Sequence, residues 1–289
     1  MLLLAEAEDR TSACSSCYYF HSDYGADYRV ALSRVVMPLS LEEYRVAQMY
    51  MVTKMQQDNT SGDEGVEVLE NRPFEDEKLG KGQYTRKVYH LQSKIPSWLA
   101  SFTPRGALLL EEEAWNDFPN CKAVLKCPYF PRFKLAVDTV HVADNGCSSN
   151  VHKLDASSLA IRKVEMVDIG SNATDYWSYM IGGPSVDLRT YISKKTRRGP
   201  LCAGWQDTCT PVMTAYKLVT VDAPYWGFGY QLEQAFLGAE RAIFLESHKR
   251  CFAWIDEWSE LSEEDVRQLE LETDEKLKEA FREQAKIRG

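Results

Sequence analysis

Near the start of the chain, Cys14, Cys17 and His21 have the chemistry of metal ligands, but no fourth ligand follows at a spacing that a tetrahedral site uses. No metal is expected there. Further on, Thr85 and Lys87 stand two apart in a β-rich stretch, which on a strand places a hydroxyl and an ammonium on one face. Taken alone, the pair also fits an exposed strand with a solvated lysine. The chain has no Gly-x-Ser-x-Gly elbow, no phosphate-cradling Walker loop, no His-Glu-x-x-His and no Gly-x-Gly-x-x-Gly after a strand. Its five histidines, His21, His90, His141, His152 and His248, have no paired spacing with acids or cysteines. These patterns predict a protein that is not an enzyme and needs no cofactor.

The elements that would position polar groups are legible from periodicity. Ser40 and Glu43 form a capping box, and Leu41, Tyr44, Ala47 and Tyr50 recur at helical spacing, so a helix is expected over 41–57. Short β-rich or alternating stretches follow at 66–69, 84–91, 107–114, 122–126, 133–142, 164–169 and 212–221, and predict antiparallel strands. Residues 230–254 place Leu232, Ala235, Phe236, Ala239, Ile243 and Ser247 on one stripe of a long helix. A last, highly charged helix is expected over 262–287, opened by Ser262 and Asp265.

The segment 171–200, with Gly182-Gly183-Pro184 and the basic tract Ser193 to Pro200, has little periodicity and reads as a partly mobile surface excursion. Residues 1–33 lack apolar periodicity and read as a disordered extension, leaving one domain over 34–289. Strands followed by helices predict an α+β fold. The expected form is a curved antiparallel sheet wrapped around a long C-terminal helix, with an apolar cavity between them.

Composition fits a soluble globular protein, with 44% apolar and 27% charged residues. No apolar run is long enough for a transmembrane helix. Met1 to Leu4 is followed at once by Glu6, Glu8 and Asp9, so no secretory address is expected. The eight irregularly spaced cysteines read as reduced thiols of a cytoplasmic protein. A net charge of −9 opposes nucleic acid, so any contact with phosphate must be local.

The stretch Gly82-Gln83-Tyr84-Thr85-Arg86-Lys87-Val88-Tyr89-His90, then Ile95-Pro96-Ser97-Trp98, then Glu112-Glu113-Ala114-Trp115-Asn116, resembles the phosphatidylinositol transfer protein family. The likeness runs from about Arg34 to about Ala280 and is nearest to the short, single-domain members. It implies a helix-grip fold of the START type holding one phospholipid as cargo. It also implies exchange of phosphatidylinositol for phosphatidylcholine by a monomer that visits membrane surfaces and supplies lipid kinases. An alternative is a sensor that presents lipid to a kinase without transferring it.

At matching positions the resemblance assigns the inositol headgroup to Thr85, Lys87, Glu112, Asn116 and Lys217. It makes Cys121 a thiol beside the lipid, and Tyr225-Trp226 an aromatic pair that dips into the membrane, with Tyr where Trp is often found first. Ser193 matches a kinase-accessible serine of a regulatory loop. Ala123 departs from the family, which often has threonine there.

Overall fold

The computed structural model describes residues 28–60, 64–77, 80–91, 95–103, 108–173, 176–180 and 186–288. Cys14, Cys17, His21 and the glycine pair at 182–183 lie outside them. The chain runs β1 (Arg29–Met37), α1 (Leu41–Asp58), β2 (Gly65–Asp76), β3 (Gly80–Leu91), α2 (Ser97–Ala100), β4 (Leu108–Asp117), β5 (Asn120–Cys127) and β6 (Phe130–Val142). It continues through α3 (Ala156–Ile161), β7 (Lys163–Val167), α4 (Tyr176–Met180), α5 (Trp205–Thr208) and β8 (Met213–Asp222). It ends in α6 (Gly229–Ala253), α7 (Ile255–Trp258) and α8 (Glu263–Arg288).

The strands form one eight-stranded sheet in the order β2-β3-β4-β5-β6-β8-β1-β7. All pairs are antiparallel except β1 with β7. The fold is therefore α+β, as expected. Every predicted strand and long helix is present, most with longer bounds, but the strand expected at 164–169 pairs parallel with β1 rather than antiparallel.

One strand was not expected. β1 begins at Arg29, inside the stretch read as a disordered extension, and pairs with both β8 and β7. Its alternation is broken because both faces are covered: Val30 and Leu32 are buried on one side, and Ser33 on the other bonds Glu165. Arg34 donates to the Gly146 carbonyl at 3.0 Å. A strand buried on both faces loses the apolar-polar signature.

Helices α1, α6 and α8 cover one face. Phe236 of α6 packs on Phe133 of β6 with ring centroids 4.4 Å apart, and Tyr44 of α1 lies 5.1 Å from His141 of β6. From α8, Glu270 and Asp274 accept from Asn71 of β2. The opposite face of β1 and β8 packs on Leu154, Val151 and Leu159 of the connection from β6 to β7. The starts of α1 and α8 are fixed locally. Ser40 and Glu43 bond each other's backbone reciprocally, and Ser262 and Asp265 do the same.

The excursion after β7 is more anchored than its sequence suggests. Asp256 accepts from Ser193 Oγ and from the backbone N–H groups of Lys194 and Lys195. Arg198 forks onto both carboxylate oxygens of Glu43 at 2.7 and 2.9 Å. Leu188 and Leu201 are buried. Periodicity is blind to such pinning by long-range polar partners.

Gly238 has a packing reason for lacking a side chain. A Cβ there would lie 2.5 Å from Trp177 Nε1 and 2.6 Å from Cδ1. Gly238→Val should therefore displace α4 from α6 and cost about 1–3 kcal/mol, despite the gain in helix propensity over glycine. Thermal unfolding beside the unaltered protein reads this directly; an unchanged or raised Tm counts against it.

Candidate functional site

Residues paired across a sheet point to the same side, so the register can be read as rows crossing the covered face. One row joins Gln83, Asn116, Cys121, Thr139, Lys217, Ser33 and Glu165, from β3 to β7. It is a polar seam under the helices. The next row holds Thr85, Ala114, Ala123, Val137 and Val219. The row beyond starts with Lys87 and Glu112, then turns apolar with Leu125, Leu135 and Val221.

Five of the residues expected to meet a headgroup thus share one face on neighbouring rows. They lie across several strands rather than at a point, with Lys87 on β3 and Lys217 on β8 separated by β4, β5 and β6. At a strand spacing of about 4.8 Å this is a span of roughly 19 Å between backbones, before two long side chains reach inward.

The polar groups are enclosed and largely unpaired. Lys87 is only 7% exposed. Among the described residues, Thr85, Lys87, Thr139, Lys217 and Glu240 make no side-chain hydrogen bond or ion pair with the protein. The buried Oδ1 of Asn116 and Oε1 of Gln48 likewise have no partner. Glu112 accepts from the Tyr89 hydroxyl. Lys217 Nζ lies 4.9 Å from the Phe244 ring centroid, a cation–π contact. An unsatisfied buried polar group costs about 1–3 kcal/mol, so a cluster of them is a poor structural device and a good binding device.

Electrostatics follow from the enclosure. Burial lowers the Lys217 pKa, while the neighbouring Cys121 and Glu240 oppose the shift. Burial pushes the Cys121 thiol up to about 11, partly offset by Lys217, so it stays protonated at neutral pH. Burial and Glu112 raise Glu240 to about 7, against the pull of Lys217. At the Lys87 end, burial raises Asp274, with Asn71 and Lys87 opposing.

The face also collects residues that sequence reading missed. Thr139 sits between Cys121 and Lys217 in the seam and is identifiable only from strand register. Gln48 lies one turn beyond Tyr44 on α1. Glu270 and Asp274 arrive from α8, with Asn71 Nδ2 donating to them at 3.2 and 2.9 Å. Glu240 hides in a helix stripe that reads as apolar. Ala123, between Ala114 and Val137, leaves the middle row apolar from β4 to β8, beyond Thr85.

The remaining expected residues lie elsewhere. Trp226 is 99% exposed just before α6, but its neighbour does not project with it. Tyr225 stacks on Phe228 at 5.3 Å and its hydroxyl accepts from the Arg132 N–H at 2.8 Å, so the expected pair is one projecting ring and one packed ring. Ser193 is fully buried against Asp256, which corrects the expectation of an accessible serine. A kinase would need this segment to open first. Two open grooves, of about 490 and 290 Å³, run along Asp168 to Ala173 with Arg189 and Leu201, and along Met166 and Arg241; no headgroup candidate lines either.

Among the described residues no cluster suits a metal ion, and no helix is long and apolar enough to cross a membrane.

Comparison with known proteins gives a consistent result. Residues 28–275 match the family model described as phosphatidylinositol transfer protein. Phosphatidylinositol transfer protein 1 of Dictyostelium discoideum is 43% identical over 253 residues, covering 86% of this chain and 94% of its own length. The beta isoform of phosphatidylinositol transfer protein from Rattus norvegicus is 37% identical over 266 residues, covering 89% and 95%. Membrane-associated phosphatidylinositol transfer protein 1 of Mus musculus is 40% identical over 245 residues, covering 83% of this chain and 19% of its own length.

Proposed function

Since this chain belongs to the phosphatidylinositol transfer protein family, we propose that it carries single phospholipid molecules between membranes, exchanging phosphatidylinositol for phosphatidylcholine. The observation that carries this reading is the set of enclosed, unpartnered polar groups on one face of the sheet. Thr85, Lys87, Asn116, Lys217 and their neighbours are arranged to satisfy a phosphate and a ring of hydroxyls rather than one another.

Surface accessibility supports an internal space of the START type. Tyr89, Cys121, Lys217 and Glu240 are surrounded by protein, yet each keeps some accessible surface. Side chains that are deep and still accessible border an interior void. Ala114 and Ala123 are also partly accessible, while Leu108, Leu110, Phe133 and Leu135 around them are sealed. Burying two acyl chains there is worth about 0.8 kcal/mol per methylene, enough to hold a lipid in a water-soluble carrier.

Exchange needs an opening. Helix α8 covers the Lys87 end through polar contacts: Asn71 with Glu270 and Asp274, and Gln57 with Thr273. Polar contacts can be traded for water, which suits an element that swings aside at a membrane. Trp226 would anchor that encounter, because an indole favours the interfacial zone.

Trp226→Ala should therefore leave Tm unchanged within about 0.5 kcal/mol of stability, since the ring touches almost nothing. Vesicle-to-vesicle transfer should fall several-fold. Equal transfer by the variant would remove Trp226 from the docking surface. The function itself is tested by incubating the purified protein with labelled donor and unlabelled acceptor vesicles and weighing the intact complex by native mass spectrometry. One bound phospholipid and rapid label movement are expected. Binding without movement would favour a sensor that presents lipid to a kinase.

A further inference from the structure

Helix α6 presents Leu232, Phe236, Glu240, Phe244 and His248 at successive four-residue steps, and these face the sheet. Phe236 packs on Phe133, Phe244 lies by Lys217, and His248 Nε2 bonds the Tyr44 hydroxyl at 2.8 Å. Only Glu240 in the middle of this stripe is acidic. It stands where the helix crosses the polar seam: its neighbour Arg241 donates to Glu165 of the seam at 2.8 Å, and Phe244, one turn on, lies against Lys217. It is within electrostatic reach of Lys217 and Glu112 and has no hydrogen bond or ion pair among the described residues. A lone carboxylate so placed is costly unless a guest answers it.

Resting on the transfer reading above, we infer that Glu240 determines specificity by reading the charge of the headgroup's outer group. Its carboxylate takes the onium group of a zwitterionic phospholipid while Lys217 takes the phosphate. An inositol headgroup brings a phosphate and hydroxyls but no cation. Glu240 then keeps its proton and meets the headgroup as a neutral hydrogen-bonding acid. Replacing an inositol lipid by a choline lipid thus releases up to one proton from Glu240 to solvent.

The groups facing Glu240 are Tyr89 from β3, Glu112 from β4 and Lys217 from β8, with Cys121 of β5 and Lys87 of β3 beside them. Tyr89 is held well above its usual range by burial and Glu112, and Cys121 is pushed up to about 11. His141 of β6 and His248 further along α6 are pushed down to about 3 by burial. Tyr89, Cys121 and the two histidines thus keep their charge near neutrality. Glu240, raised to about 7 by burial and Glu112, changes charge there.

The sign follows from proton counting. The choline complex binds fewer protons than the inositol complex, so the ratio of choline to inositol affinity rises with pH, by at most about tenfold per unit for one proton. The test loads the full chain from mixed vesicles of phosphatidylcholine and phosphatidylinositol at pH 6, 7 and 8, and counts each bound lipid by mass spectrometry. The unaltered protein should shift toward choline lipid by about fivefold or more from pH 6 to pH 8.

Glu240→Gln should bind choline lipid about tenfold less, keep inositol lipid within about twofold, and lose the pH slope. A slope belonging to Asp274 or Lys217 would persist in that variant, and its persistence would overturn the inference. So would a flat ratio in the unaltered protein, which requires no variant to fold. Failure of the unaltered protein to load either lipid would instead overturn the transfer reading, and this inference with it.

Discussion

Lys217→Met will cut transfer of both inositol and choline lipids at least about tenfold while raising Tm. The lysine is enclosed and lacks an anionic hydrogen-bond partner, and burial already lowers its pKa. Both lipids bring a phosphate to the same seam, where Lys217 adjoins Thr139 and Cys121. A charge-assisted hydrogen bond contributes about 1.5–3 kcal/mol, so binding of either lipid should weaken roughly 10- to 100-fold. Within the protein the ammonium meets the Phe244 ring, with Cys121 and Glu240 nearby but no hydrogen-bonded anion.

Methionine fills a similar volume without the desolvated charge, so stability should increase by roughly 1–3 kcal/mol. Opposite movements of transfer and Tm distinguish a binding lysine from a structural one. A parallel loss of both would mean that Lys217 holds the fold together.

Thr85→Ala and Lys87→Ala will separate the two lipids. These residues lie at the other end of the covered face, beside Glu112 and under the carboxylates that α8 contributes. A hydroxylated ring reaching that far exchanges hydrogen bonds with them, whereas a choline group has no donors or acceptors to use there. Inositol-lipid transfer should fall about tenfold or more, the worth of one or two hydrogen bonds involving a charged group. Choline-lipid transfer should stay within about twofold. Vesicle assays run in parallel with the two labelled lipids decide the matter; equal decline would detach Thr85 and Lys87 from the headgroup.

Thr85→Ala is the milder structural change. Lys87→Ala also removes the nearby cation from the buried Asp274 of α8.

Much of the candidate site was legible because strands carry their chemistry at fixed intervals. Thr85 and Lys87 had to share a face once 84–91 was a strand, and both α1 and α8 announced their first turns through Ser40-Glu43 and Ser262-Asp265. The seam itself was not legible. Gln83, Asn116, Cys121, Thr139 and Lys217 come from five strands, and their alignment depends on register, which a single strand does not specify. Tyr225 and Trp226 are adjacent aromatics with similar propensities, and only packing against Phe228 turned one inward.

Local spacing, capping and alternation were enough to give the elements, the α+β class and the residue types a lipid headgroup would need, because each depends on neighbours within a few positions. Tertiary structure alone decided that β1 starts at Arg29 and that Ser193 is sealed by Asp256. It alone decided that Glu240 and Asp274 meet the sheet's lysines. Those outcomes join residues far apart in the chain, where enclosure sets the energy of a charge and no pattern in one segment encodes its partner in another.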